Sequence, residues 1–181
     1  FLVSGSAIKA EIVGKLNIST ILDNFNYQFS KIFPALYSEK AKTFEEPDID
    51  NFAYDITFHS PNHIVHLFYP ALYIAPGSNI KGKYLPKDNH IDLSVKSDSL
   101  RYKTMEFTDL ELEQILENDK VRADYKISRF QYSDSLYFDS IIFNTNGGNN
   151  QLDHILTWKE LAHNKTSKIS WDTHVKDSDH Y

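Results

Sequence analysis

Apolar and polar residues alternate along most of this chain, the period of a β-strand with one wet side. Ile8, Ala10, Ile12 and Leu16 fall on one face of a run from Ala7 to Ile18, with Lys9, Glu11, Lys15 and Asn17 opposite. The same pattern returns at Phe52 to Phe58, Ile80 to Leu85, Ile91 to Val95, Val121 to Ile127 and Leu136 to Phe143, then at Leu152 to Leu161 and Lys168 to Val175. Tyr102 to Phe107 and Leu110 to Leu116 read as further strands, although Glu111 to Asn118 also fits a helix through Leu112, Ile115 and Leu116. Asn146-Gly147-Gly148-Asn149 is the strongest hairpin signal, and Pro76-Gly77 marks a turn.

The alternation breaks once in favour of a longer period. Ile21, Leu22, Phe25, Phe29, Ile32, Phe33 and Leu36 recur at helical spacing, with Ser19 or Thr20 as N-cap and Pro34 as the terminator. The expected role is a lid over one end of a sheet. Ile64 to Leu72 fits a short helix or a strand equally well. The predicted organisation is therefore a strand and amphipathic helix over 1–37, a polar linker over 38–50, a repetitive β segment over 51–175 and a polar tail over 176–181. Ser97-Asp98-Ser99-Leu100 recurs as Ser133-Asp134-Ser135-Leu136, with Phe107 and Phe143 each seven residues beyond the Leu. That repeat predicts stacked strand pairs.

Composition narrows the chemistry. A net charge of −6 without a basic stripe argues against a nucleic-acid partner. With no cysteine, disulfides and thiolate metal sites are excluded. His59, His63 and His66 cluster without an acidic partner at ligand spacing, and no nucleophile-elbow or phosphate-loop pattern occurs. The sequence thus points to no catalytic residue, metal or cofactor. Asn17-Ile18-Ser19 and Asn164-Lys165-Thr166 match the short glycosylation pattern. The chain opens on Phe1 with no leader signature, which reads as an internal piece of a longer protein or a processed product.

One predicted helix against about ten strands leaves an apolar sheet face in need of cover. A second sheet would make a sandwich, a surface or secreted binder of glycan or protein. Without one, the fold class is mainly β, a curved, repetitive antiparallel β-groove with one amphipathic helix. The residues expected to line such a groove are Ile91, Leu93, Val95, Tyr102, Phe107, Val121, Ala123, Tyr125, Ile127, Phe138 and Phe143.

The progression of Gly14, the amphipathic helix, Leu72-Tyr73-Ile74, Gly77, Ile80-Lys81-Gly82-Lys83-Tyr84, Ile91-Asp92-Leu93, Leu100, Phe107, Leu110, Leu136 and Phe143 resembles the TamB family of AsmA-like envelope proteins. So does the ending Asn150-Gln151-Leu152 to Leu156-Thr157-Trp158, while the use of Tyr, Asn, Asp and Lys is similar to that of a Bacteroidetes member. The chain departs from the family in lacking the N-terminal membrane anchor and the C-terminal region. The resemblance implies a β-taco groove crossing the periplasm within an inner-membrane-anchored protein. It further implies phospholipid acyl chains as cargo, an outer-membrane barrel assembly partner and no catalysis.

Overall fold

The computed structural model describes residues 1–17, 21–37, 51–133, 135–160 and 165–176. The predicted helix cap at Ser19 or Thr20, the 38–50 linker and the 177–181 tail lie outside the described residues. The chain is mainly β, and among the described residues the strands form one long, open, curved antiparallel sheet of eleven strands. The strands are β1 (Leu2–Ser4), β2 (Ile8–Lys15), β3 (Asn51–Phe58), β4 (Leu72–Ile74), β5 (Asn79–Leu85), β6 (His90–Tyr102), β7 (Met105–Glu117), β8 (Lys120–Ser133), β9 (Leu136–Gly148), β10 (Gln151–Glu160) and β11 (Lys165–His174). Each pairs with its sequence neighbour except at one place. There β5 pairs with the first half of β6 and the short β4 with the second half, so two strands together edge one long strand. A second sheet facing this one, as a sandwich requires, is not formed among the described residues. Since β2 pairs directly with β3, the first predicted segment and the third belong to the same sheet.

Among the described residues two α-helices accompany the sheet, one more than the groove reading expected. Helix α1 (Ile21–Ile32) follows the predicted stripe and stops one residue before Phe33-Pro34, as proline demands. Helix α2 (Asn62–Phe68) resolves the ambiguous segment in two parts, helix first and then β4. Asn62 explains why so short a helix stays in place. Its side-chain amide donates to the Ile74 carbonyl at 3.1 Å and accepts from the Ile74 amide at 3.1 Å, acting as one more residue of paired strand.

The hairpin turns correct two sequence expectations and settle a third that was left open. Tyr102 to Phe107 is a hairpin and not a strand, because the chain reverses at Lys103, whose φ is 56°. Glu111 to Asn118 is strand up to Glu117, so the helical alternative is not realised. The predicted hairpin near Gly147-Gly148 is present, but those glycines are the last residues of β9. The turn itself is Asn149-Asn150, with φ of 53° and 65°, a pair of left-handed residues suited to a tight hairpin. Asn118-Asp119 makes the same turn between β7 and β8, with φ of 51° and 60°. The repeated unit is accordingly a hairpin, beginning at His90, Lys120 and Gln151. The Ser-Asp-Ser-Leu tetrapeptides are not equivalent positions: the first lies inside β6, while Leu136 opens β9 after a turn.

Candidate functional site

Register carries side chains across the sheet in rows, because directly paired residues share a face. One row runs Gly14, Phe52, Tyr84, Ile91, Leu116, Val121, Gly147, Leu152, Thr173. The next, two residues along, runs Ile12, Tyr54, Gly82, Leu93, Gln114, Ala123, Thr145, His154, Trp171, and a third runs Ala10, Ile56, Ile80, Val95, Leu112, Tyr125, Phe143, Leu156, Ile169. None of these positions is Asp, Glu, Lys or Arg. The opposite face carries the charges, also in rows, such as Lys96-Glu111-Lys126 and Lys83-Asp92. Lys96 Nζ lies 2.9 Å from Glu111, and Arg122 Nε lies 3.2 Å from Asp124. The Lys96 ammonium, by hydrogen bond and by charge, holds the Glu111 carboxyl below the usual carboxylate range, and Glu111 raises Lys96 in return.

A crease interrupts these rows. Pairing skips Asp98 opposite Asp109, Asp109 opposite Ser128, and Ser128 opposite Ser140, one continuous row through β6, β7, β8 and β9. Asp109 and Ser140 have φ of 49°, and the irregularity continues into β10 between Thr157 and Lys159. Past the crease the parity of the apolar face changes. Leu100, Phe107, Phe130 and Phe138 now form a row, and Phe130 and Phe138 line the same hollow as Ile141, Leu156, Trp158 and Ile169. The apolar face thus continues across the crease. Ser97 and Ser78 are buried where β5 gives way to β4, and their hydroxyls meet at 2.7 Å.

All eleven groove residues expected from sequence lie on this one face. Ile91, Leu93, Val95, Val121, Ala123, Tyr125, Ile127 and Phe143 lie before the crease, and Tyr102, Phe107 and Phe138 beyond it. Ala123 is buried, Tyr102 is exposed, and the rest are half-buried. Half-burial is what an uncovered sheet face produces; a sandwich core would bury them. Ring contacts reinforce the rows, with Phe107 stacked on Phe130 at 4.9 Å and Tyr125 against Phe143 at 5.6 Å.

The face also holds residues that sequence reading did not place there. Phe143, His154 and Trp171 stack on one another, with ring centroids 4.9 to 5.8 Å apart. His154 is held in the stack by the hydroxyls of Thr145 at 2.9 Å and Thr173 at 3.1 Å. Beside them is the hollow of about 340 Å³ floored by Phe130, Phe138, Ile141, Leu156, Trp158 and Ile169. Both tryptophans of the chain therefore lie on the apolar face. The signal was available in the alternation of Leu152, His154, Leu156 and Trp158, once the hairpin at Asn149-Asn150 fixes their register.

A larger hollow, about 510 Å³, opens on the charged side along the crease. Its rim carries the Lys96–Glu111 pair with Lys126 beside it, and Asp98 and Asp109 lie along its floor. At one end of the apolar face α1 forms the lid expected from its pattern. The Asn150 amide donates to the Ile32 carbonyl at 2.9 Å, Asn150 Oδ1 accepts from the Ala35 amide at 3.0 Å, and Lys31 donates to Asn89 at 3.0 Å. Ile32 and Tyr84 are fully buried there. At the far end, beyond the crease, Leu67, Phe68 and Tyr69 at the end of α2 are exposed. Among the described residues, no group of acidic, histidine or cysteine side chains is arranged to hold a metal, and no helix is long and apolar enough to cross a membrane.

No family model, curated protein or solved structure matches this chain.

Proposed function

We propose that the chain is a segment of a periplasm-spanning envelope protein of the TamB or AsmA-like kind, whose open apolar face carries phospholipid acyl chains. The observation that carries this reading is the unbroken apolar face, free of ionisable Asp, Glu, Lys and Arg through three rows while the reverse face is charged. Strands of 13 or 14 residues, β6 to β9, span about 44 Å at ~3.4 Å per residue. Ten strands along the path make a trough of about 48 Å at ~4.8 Å per strand. Both lengths exceed the ~15 Å of one leaflet's hydrocarbon. A fully buried methylene contributes ~0.8 kcal/mol, and one resting on an open face about half as much. Such retention is strong over a whole chain yet has no preferred position along it, so cargo can slide. The protein then acts as a carrier and needs no catalytic residue. Docking on an outer-membrane barrel assembly partner would fall to other parts of the parent protein.

The tryptophans supply the test. Phospholipid brominated in its acyl chains should quench the fluorescence of Trp158 and Trp171, whereas unbrominated lipid of the same kind should not. Absence of quenching at saturating lipid would overturn the proposal.

A further inference from the structure

The end of the sheet beneath α1 has a different character from the open trough. There a cavity of about 260 Å³ lies between the helix and the strands, lined by Phe52, Tyr54, Tyr84, Leu93 and Leu116 together with the amides of Gln28 and Gln114, and Lys83 borders it from a position in register with Asp92 on the charged face. Gln28 is 1% exposed, and among the described residues neither its Nε2 nor its Oε1 has a hydrogen-bond partner. Burying an unsatisfied amide is costly, and an apolar side chain of the same length would fill the site without that cost. The amide has a purpose only if something inside the cavity pairs with it.

We infer that this cavity binds one small amphipathic molecule bearing a neutral amide head. Oε1 needs a donor and Nε2 an acceptor, side by side, and an amide presents both. A carboxylate would satisfy Nε2 while setting a negative oxygen against Oε1, and an ammonium would fail at Nε2. Either ion would also have to shed its water among Phe52, Tyr84 and Leu116. The volume equals that of about nine water molecules at ~30 Å³ each, enough for a short aliphatic body and too small for a phospholipid. The ligand is held, not passed along, and this inference does not depend on what the open part of the face carries.

Octanamide is a suitable probe, compared with octanoate at neutral pH. Octanamide should raise the melting temperature of the whole chain, and octanoate should bind at least tenfold more weakly. Gln28→Met, nearly isosteric and apolar, should be more stable than wild type without ligand and should lose at least tenfold in octanamide affinity. Its circular dichroism should be unchanged, and brominated phospholipid should still quench its tryptophans. Equal octanamide binding by wild type and Gln28→Met would overturn the inference, as would a cavity holding only ordered water and refusing octanamide.

Discussion

A carboxylate placed on the apolar face should have opposite consequences at two positions that sequence alone makes equivalent. Leu93 and Leu156 lie on the same face, but Leu93 lines the cavity under α1 while Leu156 floors the open hollow beside Trp158. In Leu93→Asp the new charge sits in a largely apolar space with no cation on its own face, since Lys83, which borders the cavity, is in register with Asp92 on the charged face. An uncompensated buried charge costs about 3–5 kcal/mol. At ~2–4 °C per kcal/mol for a chain of this size, the melting temperature should fall by about 6–20 °C. In Leu156→Asp the carboxylate stays wet, and the loss is about half the ~1.5–3 kcal/mol of a fully buried leucine. A fall of about 2–6 °C is expected on the same scale. The effect on cargo runs the other way. An acyl chain crossing the hollow of Leu156→Asp must strip the introduced carboxylate of water at a cost of several kcal/mol, and each ~1.4 kcal/mol is tenfold in affinity. Quenching by brominated phospholipid should therefore be lost in a protein that remains folded. Ile155→Asp, one residue away on the charged face and 36% exposed, is the internal control and should quench as wild type does. Equal loss of quenching in Leu156→Asp and Ile155→Asp would refute the facial argument.

Four other outcomes follow from the same geometry. Because Lys96 holds Glu111 below the usual carboxylate range, the pair's contribution is complete above that range and lost as pH falls through the lowered value; Glu111→Gln should flatten the acid limb of a melting-temperature profile, and molar salt should shrink the difference. Asp119→Gly relieves a left-handed turn position and should raise stability by about 0.5–1 kcal/mol in denaturant titration. Gly82→Val should cost about 2–4 kcal/mol, since a side chain there would collide with the Asp92 carbonyl and with the Tyr54 hydroxyl laid across it. Deleting Ser128 alone should turn Phe130 and Tyr132 towards the charged face of β8 and unfold the outer half of the sheet, seen as lost amide protection in β8 and β9.

The strands were legible because alternation is a local property: Ile91, Leu93 and Val95 announce their face whatever the rest of the chain does. Helix α1 was legible for the same reason, since Pro34 and the stripe from Ile21 to Leu36 need no partner to be understood, although the helix itself ends at Ile32. Turn positions were harder. Gly147-Gly148 attracted the hairpin assignment because glycine adopts any backbone conformation, yet asparagine tolerates the left-handed region well enough for Asn149-Asn150 to make the turn. The glycines serve close packing of backbones instead, as a side chain on Gly147 would meet the Gln151 carbonyl. What α1 covers could not be read at all. That Leu93 lines the cavity beneath the helix, while the equally half-buried Leu156 floors the open hollow on the same face, depends on where Asn150 and Ile32 meet, and nothing local encodes that contact.

The crease shows why a site can be legible while its architecture is not. Strict alternation puts Val95 and Tyr102 on opposite faces, and likewise Phe107 and Leu110, or Phe138 and Phe143. A single strand that changed parity would set its outer apolar residues among charges and break register with both neighbours. Here Asp98, Asp109, Ser128 and Ser140 fall in one row, so four strands change parity together and pairing resumes beyond them. The irregularity costs a few ladder hydrogen bonds and two left-handed residues. In exchange the sheet bends without interrupting its apolar surface, as bulged strands do. In sequence each crease is only a small polar residue between two apolar runs that are out of phase by one. One such site looks like the end of a strand, and Tyr102 to Phe107 was misread partly for that reason. Four at matching register, flanked by Leu100, Phe107, Phe130 and Phe138 on one side and Val95, Leu112, Tyr125 and Phe143 on the other, describe a trough that turns while keeping one face dry.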